Sequence, residues 1–177
     1  MKPVSNPLRC LLLLVALAPA LPAAAFDMNS DEPIRITADS ARLDDNRGTA
    51  IYRGNVDVRQ GEVLLTADRV DVYRGAEGLD RIHATGQPAT YDRPATANEG
   101  AVHAEALEIH YSAGENLLRF ERKAVVQQGQ DEFRGAVITY GTTNRIVTGE
   151  GQDDGGEGSG RVEMVIQPRG NSSSSGN

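Results

Sequence analysis

The sequence predicts an all-β chain of stacked hairpins. Three observations carry this: short runs of alternating apolar and polar residues, glycines set between the runs, and a unit that recurs about every 30 residues. Between Pro33 and Gln167 no 3.6-residue periodicity lasts beyond two turns. Instead Val56 and Val58 alternate with Asp57 and Arg59, and Val63, Leu65 and Ala67 alternate with Leu64 and Thr66. Val70 and Val72 likewise flank Asp71, so each run reads as one half-buried strand.

The chain opens with a different kind of segment. Lys2 and Arg9 precede an apolar core over residues 10–18, and Ala23-Ala24-Ala25 closes the stretch, as in a cleavable signal peptide over residues 1–25. The core is too short to span a bilayer, which takes ~20 apolar residues. The expected mature chain starts at Phe26, and one domain is expected over residues 26–168. The single cysteine, Cys10, falls inside the leader, so the mature domain has no thiol for a disulfide, a nucleophile or a metal.

Within the domain a first pattern runs small, acidic, any, apolar, any, apolar. It occurs at Ala38-Asp39-Ser40-Ala41-Arg42-Leu43, Ala67-Asp68-Arg69-Val70-Asp71-Val72 and Ala104-Glu105-Ala106-Leu107-Glu108-Ile109, with a degenerate copy from Arg134 to Thr139. A second pattern alternates with it. The run from Tyr52 to Gly61 is similar to the run from Phe120 to Gly129, and residues 84–91 form a looser copy. After each small-acidic pair the apolar phase shifts, Ala67 being followed by Val70 and Ala104 by Leu107, which predicts a bend or bulge at that point. A row of bends would turn the hairpins into two facing layers with an interior between them. Residues 149–160, rich in Gly, Asp and Glu, read as a loop. Arg161-Val162-Glu163-Met164-Val165-Ile166 reads as a last strand, and the serine-rich residues 169–177 as a disordered tail.

Charge narrows the partners. The full chain carries a formal charge of −7, and loss of Lys2 and Arg9 with the leader takes it to −9. Such a chain repels phosphate-rich polymers at long range, so nucleic acid binding finds no support. An anionic ligand would have to be held by its apolar part.

Catalysis finds little support either. His83, His103 and His110 are the candidate ligands or acid/base groups, yet His103 and His110 differ by seven and would face opposite ways on one regular strand. They are expected to be exposed strand residues, with no metal site and no cofactor. Asp39, Asp68 and Glu105 share one slot of successive repeats, which suits turn-capping better than a paired-acid hydrolytic site. No glycine-rich phosphate loop precedes a helix.

The apolar positions carry more. Ile34, Ile36, Val56, Val58, Val63, Leu65, Val70, Val72, Ile82, Leu107, Ile109, Leu118, Phe120, Val126, Phe133, Ile138, Ile146 and Val162 are expected to converge inside. With few aromatic rings, such an interior can either close as a dry core or stay open as a groove.

Several of these segments resemble a known family. Asp31-Glu32-Pro33-Ile34-Arg35-Ile36, Gly54-Asn55-Val56-Asp57-Val58-Arg59-Gln60-Gly61, Ala67-Asp68-Arg69-Val70 and Gly86-Gln87-Pro88-Ala89-Thr90-Tyr91 resemble the OstA-like domain family of lipopolysaccharide-transport bridge proteins, the LptA family. Gln127-Gln128 and Gly135-Ala136-Val137-Ile138-Thr139-Tyr140 extend the similarity over nearly all of residues 31–168. The resemblance implies a V-shaped β-jellyroll of two antiparallel sheets in the periplasm, whose apolar interior takes the acyl chains of lipopolysaccharide and passes them on without chemistry. It further implies head-to-tail self-association between an inner-membrane-anchored LptC-like protein and an LptD-like outer-membrane translocon. By position Ile34, Ile36, Tyr91 and Tyr111 fall among the family's lipid-contacting residues, and Val56, Val58, Leu65 and Ile109 share the inward phase. Residues 161–166 correspond to the family's last strand and suggest the joint to the next copy. The loop at residues 149–160 and the short serine-rich tail depart from the family pattern. Two rival readings share the periodicity: a closed, ligand-free scaffold solenoid of the envelope, and a glycan-active enzyme on a β-helix.

Overall fold

A computed structural model describes residues 32–76, 78–97, 99–151 and 160–167. The expected leader at 1–25 and tail at 169–177, and residues 152–159 of the expected loop, lie outside the described residues. The described residues form strands joined by turns, with no helix among them.

Six long strands follow one another as an antiparallel meander: β3 (Thr49–Gln60), β4 (Val63–Gly75), β5 (Gly78–Arg93), β6 (Val102–Ser112), β7 (Leu117–Gln128) and β8 (Asp131–Gly141). Two short strands, β1 (Arg35–Thr37) and β2 (Ser40–Asp44), pair with successive halves of β3. At the other edge β9 (Val147–Glu150) and β10 (Glu163–Val165) pair with successive halves of β8. Each edge is thus one strand in two pieces, and the sheet does not close.

Every long pairing is interrupted near its middle. Register shifts fall between Arg53 and Val56, Thr66 and Arg69, Thr85 and Ala89, Glu105 and Glu108, and Glu121 and Ala124. Side by side they form a crease, which on β4 and β6 falls at the small-acidic pairs Ala67-Asp68 and Ala104-Glu105 where the sequence pattern changes phase. The interrupted backbone adopts left-handed conformations at Asn55, Arg122 and Lys123 as well as at Gly54. A Cβ on Gly54 would run into the Asp39 carboxylate, and that carboxylate in turn accepts a bond from Asn55 Nδ2 at 2.9 Å. The expected two facing antiparallel sheets are the two halves of one open ten-stranded sheet, because the hydrogen-bonded ladder resumes on both sides of every bulge.

The phase change turns apolar residues of both halves to one interior. Val63, Leu65, Ala89, Tyr91, Ala104 and Val126 come from one half, and Val70, Ile82, Ala84, Ile109, Leu118, Phe120 and Ile138 from the other, all essentially inaccessible. Tyr91 and Phe120, on opposite sides of the crease, approach with ring centroids 6.3 Å apart, so the halves face each other. Three expected core residues are not in it. Leu107 sits in the β6 bulge and is only half-buried, Ala106 taking the inward place. Ile146 lies in the turn between β8 and β9 and Val162 just before β10, and both are exposed.

Candidate functional site

The interior is the site that the repeat builds. Strand alternation places Val56 and Val58 on β3, Leu65 on β4, Tyr91 on β5, and Ile109 and Tyr111 on β6, all inward and buried. Ile34 and Ile36 pack against this cluster from the N-terminal edge and remain partly accessible. Phe133 and Val147 do the same at the C-terminal edge. The apolar core therefore runs through the fold from one unpaired edge to the other, tightly packed along its length and partly accessible only at its two ends.

Most of the exposed large apolar side chains cluster at the C-terminal edge: Ile146, Val162, Met164, Val165 and Ile166, with Leu43 on β2 at the other. Residues 161–166 thus supply β10 and its flanks, as the last strand read from the sequence. Single exposed aliphatics are ordinary, but a contiguous set beside an unpaired strand marks a surface for association.

Sequence reasoning missed the polar groups along the flank, where the strand ends of the two halves meet. Arg93 is buried; its guanidinium donates to the Gly100 carbonyl at 3.0 Å and lies 3.0 Å from Glu99. The other carboxylate oxygen of Glu99 accepts from Arg145 at 2.9 Å, and Arg145 belongs to the β8–β9 turn of the opposite half. Glu99 clasps the two lips. The phase of Arg93 was readable, since Ala89, Tyr91 and Arg93 alternate inward, but the Glu99–Arg145 contact spans 46 residues and leaves no local mark. Gln60, also buried, donates to the Glu32 carbonyl at 3.1 Å.

Burial acts on Tyr91 most. Removal from water, reinforced by nearby Tyr140, pushes its phenol far above the ordinary value, against a smaller opposing pull from Arg93. A raised folded-state value means the contribution of the neutral ring is complete below the free-tyrosine pKa of about 10 and is lost as pH rises beyond it. The urea midpoint should fall between pH 8 and pH 11 in the native protein and fall less in Tyr91→Phe; equal falls would contradict this origin.

The carboxylates proposed for capping or hydrolysis do not converge. Asp39 holds the break between β1 and β2, Asp68 is exposed in the β4 bulge, and Glu105 faces Thr90 and Val125 in the ladder. His103 lies beside Asp92, with Nδ1 2.6 Å from the carboxylate. The bulge in β6 gives His103 and His110 the same outward facing, which their odd spacing on a regular strand would forbid.

The family model described as LptA/(LptD N-terminal domain) LPS transport protein matches residues 35–145. The lipopolysaccharide export system protein LptH of Pseudomonas aeruginosa is 34% identical over 152 residues, covering 83% of this chain and 86% of the relative. The LptA export protein of Escherichia coli K12 is 33% identical over 126 residues, 70% of this chain and 68% of its own. Among solved structures, the periplasmic LptH of Pseudomonas aeruginosa, described as a component of the lipopolysaccharide transport device, superposes with a TM-score of 0.70 at 35% identity. That superposition covers 77% of this chain and 96% of LptH.

Proposed function

This chain belongs to the LptA/(LptD N-terminal domain) family of LPS transport proteins, and on that premise we propose that it carries lipopolysaccharide across the periplasm by burying acyl chains between the two halves of its sheet. The observation that supports this most is the apolar interior continuous between two unpaired edges, which opens to acyl chains when the two halves part. A closed scaffold has no need of accessible Ile34 and Ile36 at one mouth and Phe133 and Val147 at the other. Ten methylenes of one acyl chain would contribute roughly 8 kcal/mol before ordering costs, at ~0.8 kcal/mol each. The phosphates of the lipid can stay in water, in keeping with the acidic chain.

In this reading the chain does no chemistry, and the relatives are named for export rather than for a reaction. Ile34, Ile36, Val56, Val58, Leu65, Tyr91, Ile109 and Tyr111 line the lipid path. Export begins with removal of the leader after Ala25. The edges dock copies head to tail, and the terminal copies meet an LptC-like protein at the inner membrane and an LptD-like translocon at the outer one. Adding a neighbour's strand satisfies the open ladder and covers the exposed aliphatics.

Photocrosslinking residues at Ile36 and Tyr91 test the function. Both should label lipopolysaccharide in the intact envelope; labelling at neither favours the closed scaffold. Self-association has its own test. Met164→Asp with Ile166→Asp places charge on two exposed positions, where each change should shift fold stability by no more than about 0.5 kcal/mol. Sedimentation velocity should then show a monomer at concentrations where the native protein forms longer species, and unchanged assembly would remove β10 from the joint.

A further inference from the structure

A second cluster lies on the outer face, away from the lipid path. Cross-strand register sets His83 of β5 directly opposite His110 of β6, and the two imidazoles stack with centroids 4.3 Å apart and planes 8° from parallel. Glu108, two residues before His110, turns to the same face, and one carboxylate oxygen lies 3.6 Å from His83 Nε2 and 3.5 Å from His110 Nε2. The His83 Nε2 is buried and has no hydrogen-bond partner among the described residues.

We propose that His83, Glu108 and His110 form a binding site for a divalent transition ion of the zinc class. The distances favour a shared ion over direct hydrogen bonds. Good N–H···O bonds run about 2.7–3.2 Å, shorter than either separation. Ligand atoms about 2.0–2.2 Å from one tetrahedral metal stand about 3.3 Å apart, within a few tenths of an ångström of the two imidazole–carboxylate separations. The two imidazoles, stacked with centroids 4.3 Å apart, must turn to bring their nitrogens to one ion. The three ligand atoms all lie within 4.8 Å of one another. Splaying the stacked rings by side-chain rotation aims both lone pairs at one point, and the half-buried outer face has room for it.

The surrounding charges leave Glu108 as the carboxylate for this role. Asp71, opposite His83 on β4, is taken by Arg69, whose Nε and Nη2 donate at 3.0 and 2.8 Å. Glu121, opposite Glu108 on β7, accepts from Arg119 at 2.5 Å, and that bond holds its carboxyl below the ordinary range. Arg122 engages the second oxygen of Glu108, which fixes the first toward the imidazoles. Two imidazole nitrogens and one carboxylate oxygen suit zinc, copper or nickel better than magnesium or calcium. The fourth position opens into a shallow cavity lined by Tyr73, Arg81 and Arg119, leaving space for water. The intervals along single strands gave no hint of this site, because its defining contact is between strands.

The test uses untagged mature protein freed of metal. Titration with zinc should give one saturable site per chain in calorimetry and a rise in melting temperature. His83→Ala, His110→Ala and Glu108→Gln should each weaken binding, the histidine variants on the order of 100-fold. His103→Ala, outside the cluster, should bind as the native protein does. Electron paramagnetic resonance of the native protein with one equivalent of copper(II) should show coupling to two imidazole nitrogens. No saturable site, a one-nitrogen copper spectrum, or folded His83→Ala/His110→Ala protein that still binds zinc normally would each overturn the assignment.

Discussion

Tying Glu99→Cys to Arg145→Cys with a short bismaleimide should reduce lipopolysaccharide loading to the level of a no-lipid control, while the same variant left unlinked still loads. The interior residues are packed to near-zero accessibility, so acyl chains can enter only if the two halves separate. The one ion pair joining the lips is Glu99 to Arg145 among the described residues, and a covalent tether there holds the halves at their closed spacing. The native pair is itself weak. Arg145 is about half exposed, and such pairs are worth about 0–1 kcal/mol. Arg145→Ala should therefore speed loading by no more than about fivefold. Glu99→Ala is the poorer probe, because it also strips buried Arg93 of its counter-charge. Measured on purified protein with fluorescent lipopolysaccharide, normal loading of the tethered variant would show that lipid does not need the lips to part.

Phe120→Ala should lower the free energy of unfolding by about 3–5 kcal/mol, read from urea denaturation followed by far-ultraviolet circular dichroism. Phe120 is fully buried, faces Tyr91 across the fold, and lies where large neighbours from both halves meet. Its removal leaves a hole that two hydrogen-bonded layers cannot collapse to fill. Leu107→Ala offers the contrast. That side chain is half-buried at the bulge, and its loss should cost well under half as much. Equal costs would mean that the crease is packed as firmly as the centre.

Much of this architecture was legible because the strand period is two and the bends recur. Val63, Leu65 and Ala67 followed by Val70 and Val72 disclose both the inward face and the point where it changes strand parity. The same reasoning fails at the bulge itself. Leu107 satisfies the apolar pattern, yet the extra residue gives its inward place to Ala106. Ile146 and Val162 fail for another reason: a short apolar residue beside a turn reads the same whether it packs inside or stands on an edge. Contacts between distant segments leave no sequence mark at all. Glu99 with Arg145, and His83 against His110, exist only once the strands are in register. The candidate lipid path was traceable because it follows the repeat, while the clasp and the imidazole pair depend on how the repeats are stacked.

The split edge strands bear on how a chain of molecules would be measured out. Anything that docks on β1 and β2, or on β9 and β10, meets two separate runs of backbone donors and acceptors, offset by the crease and angled to each other. A slip by two residues along one run would misalign the other, so neighbours cannot slide to intermediate lengths. Assembly on such ends would advance in whole molecular steps, and the distance it bridged would be set by counting units rather than by stretching them.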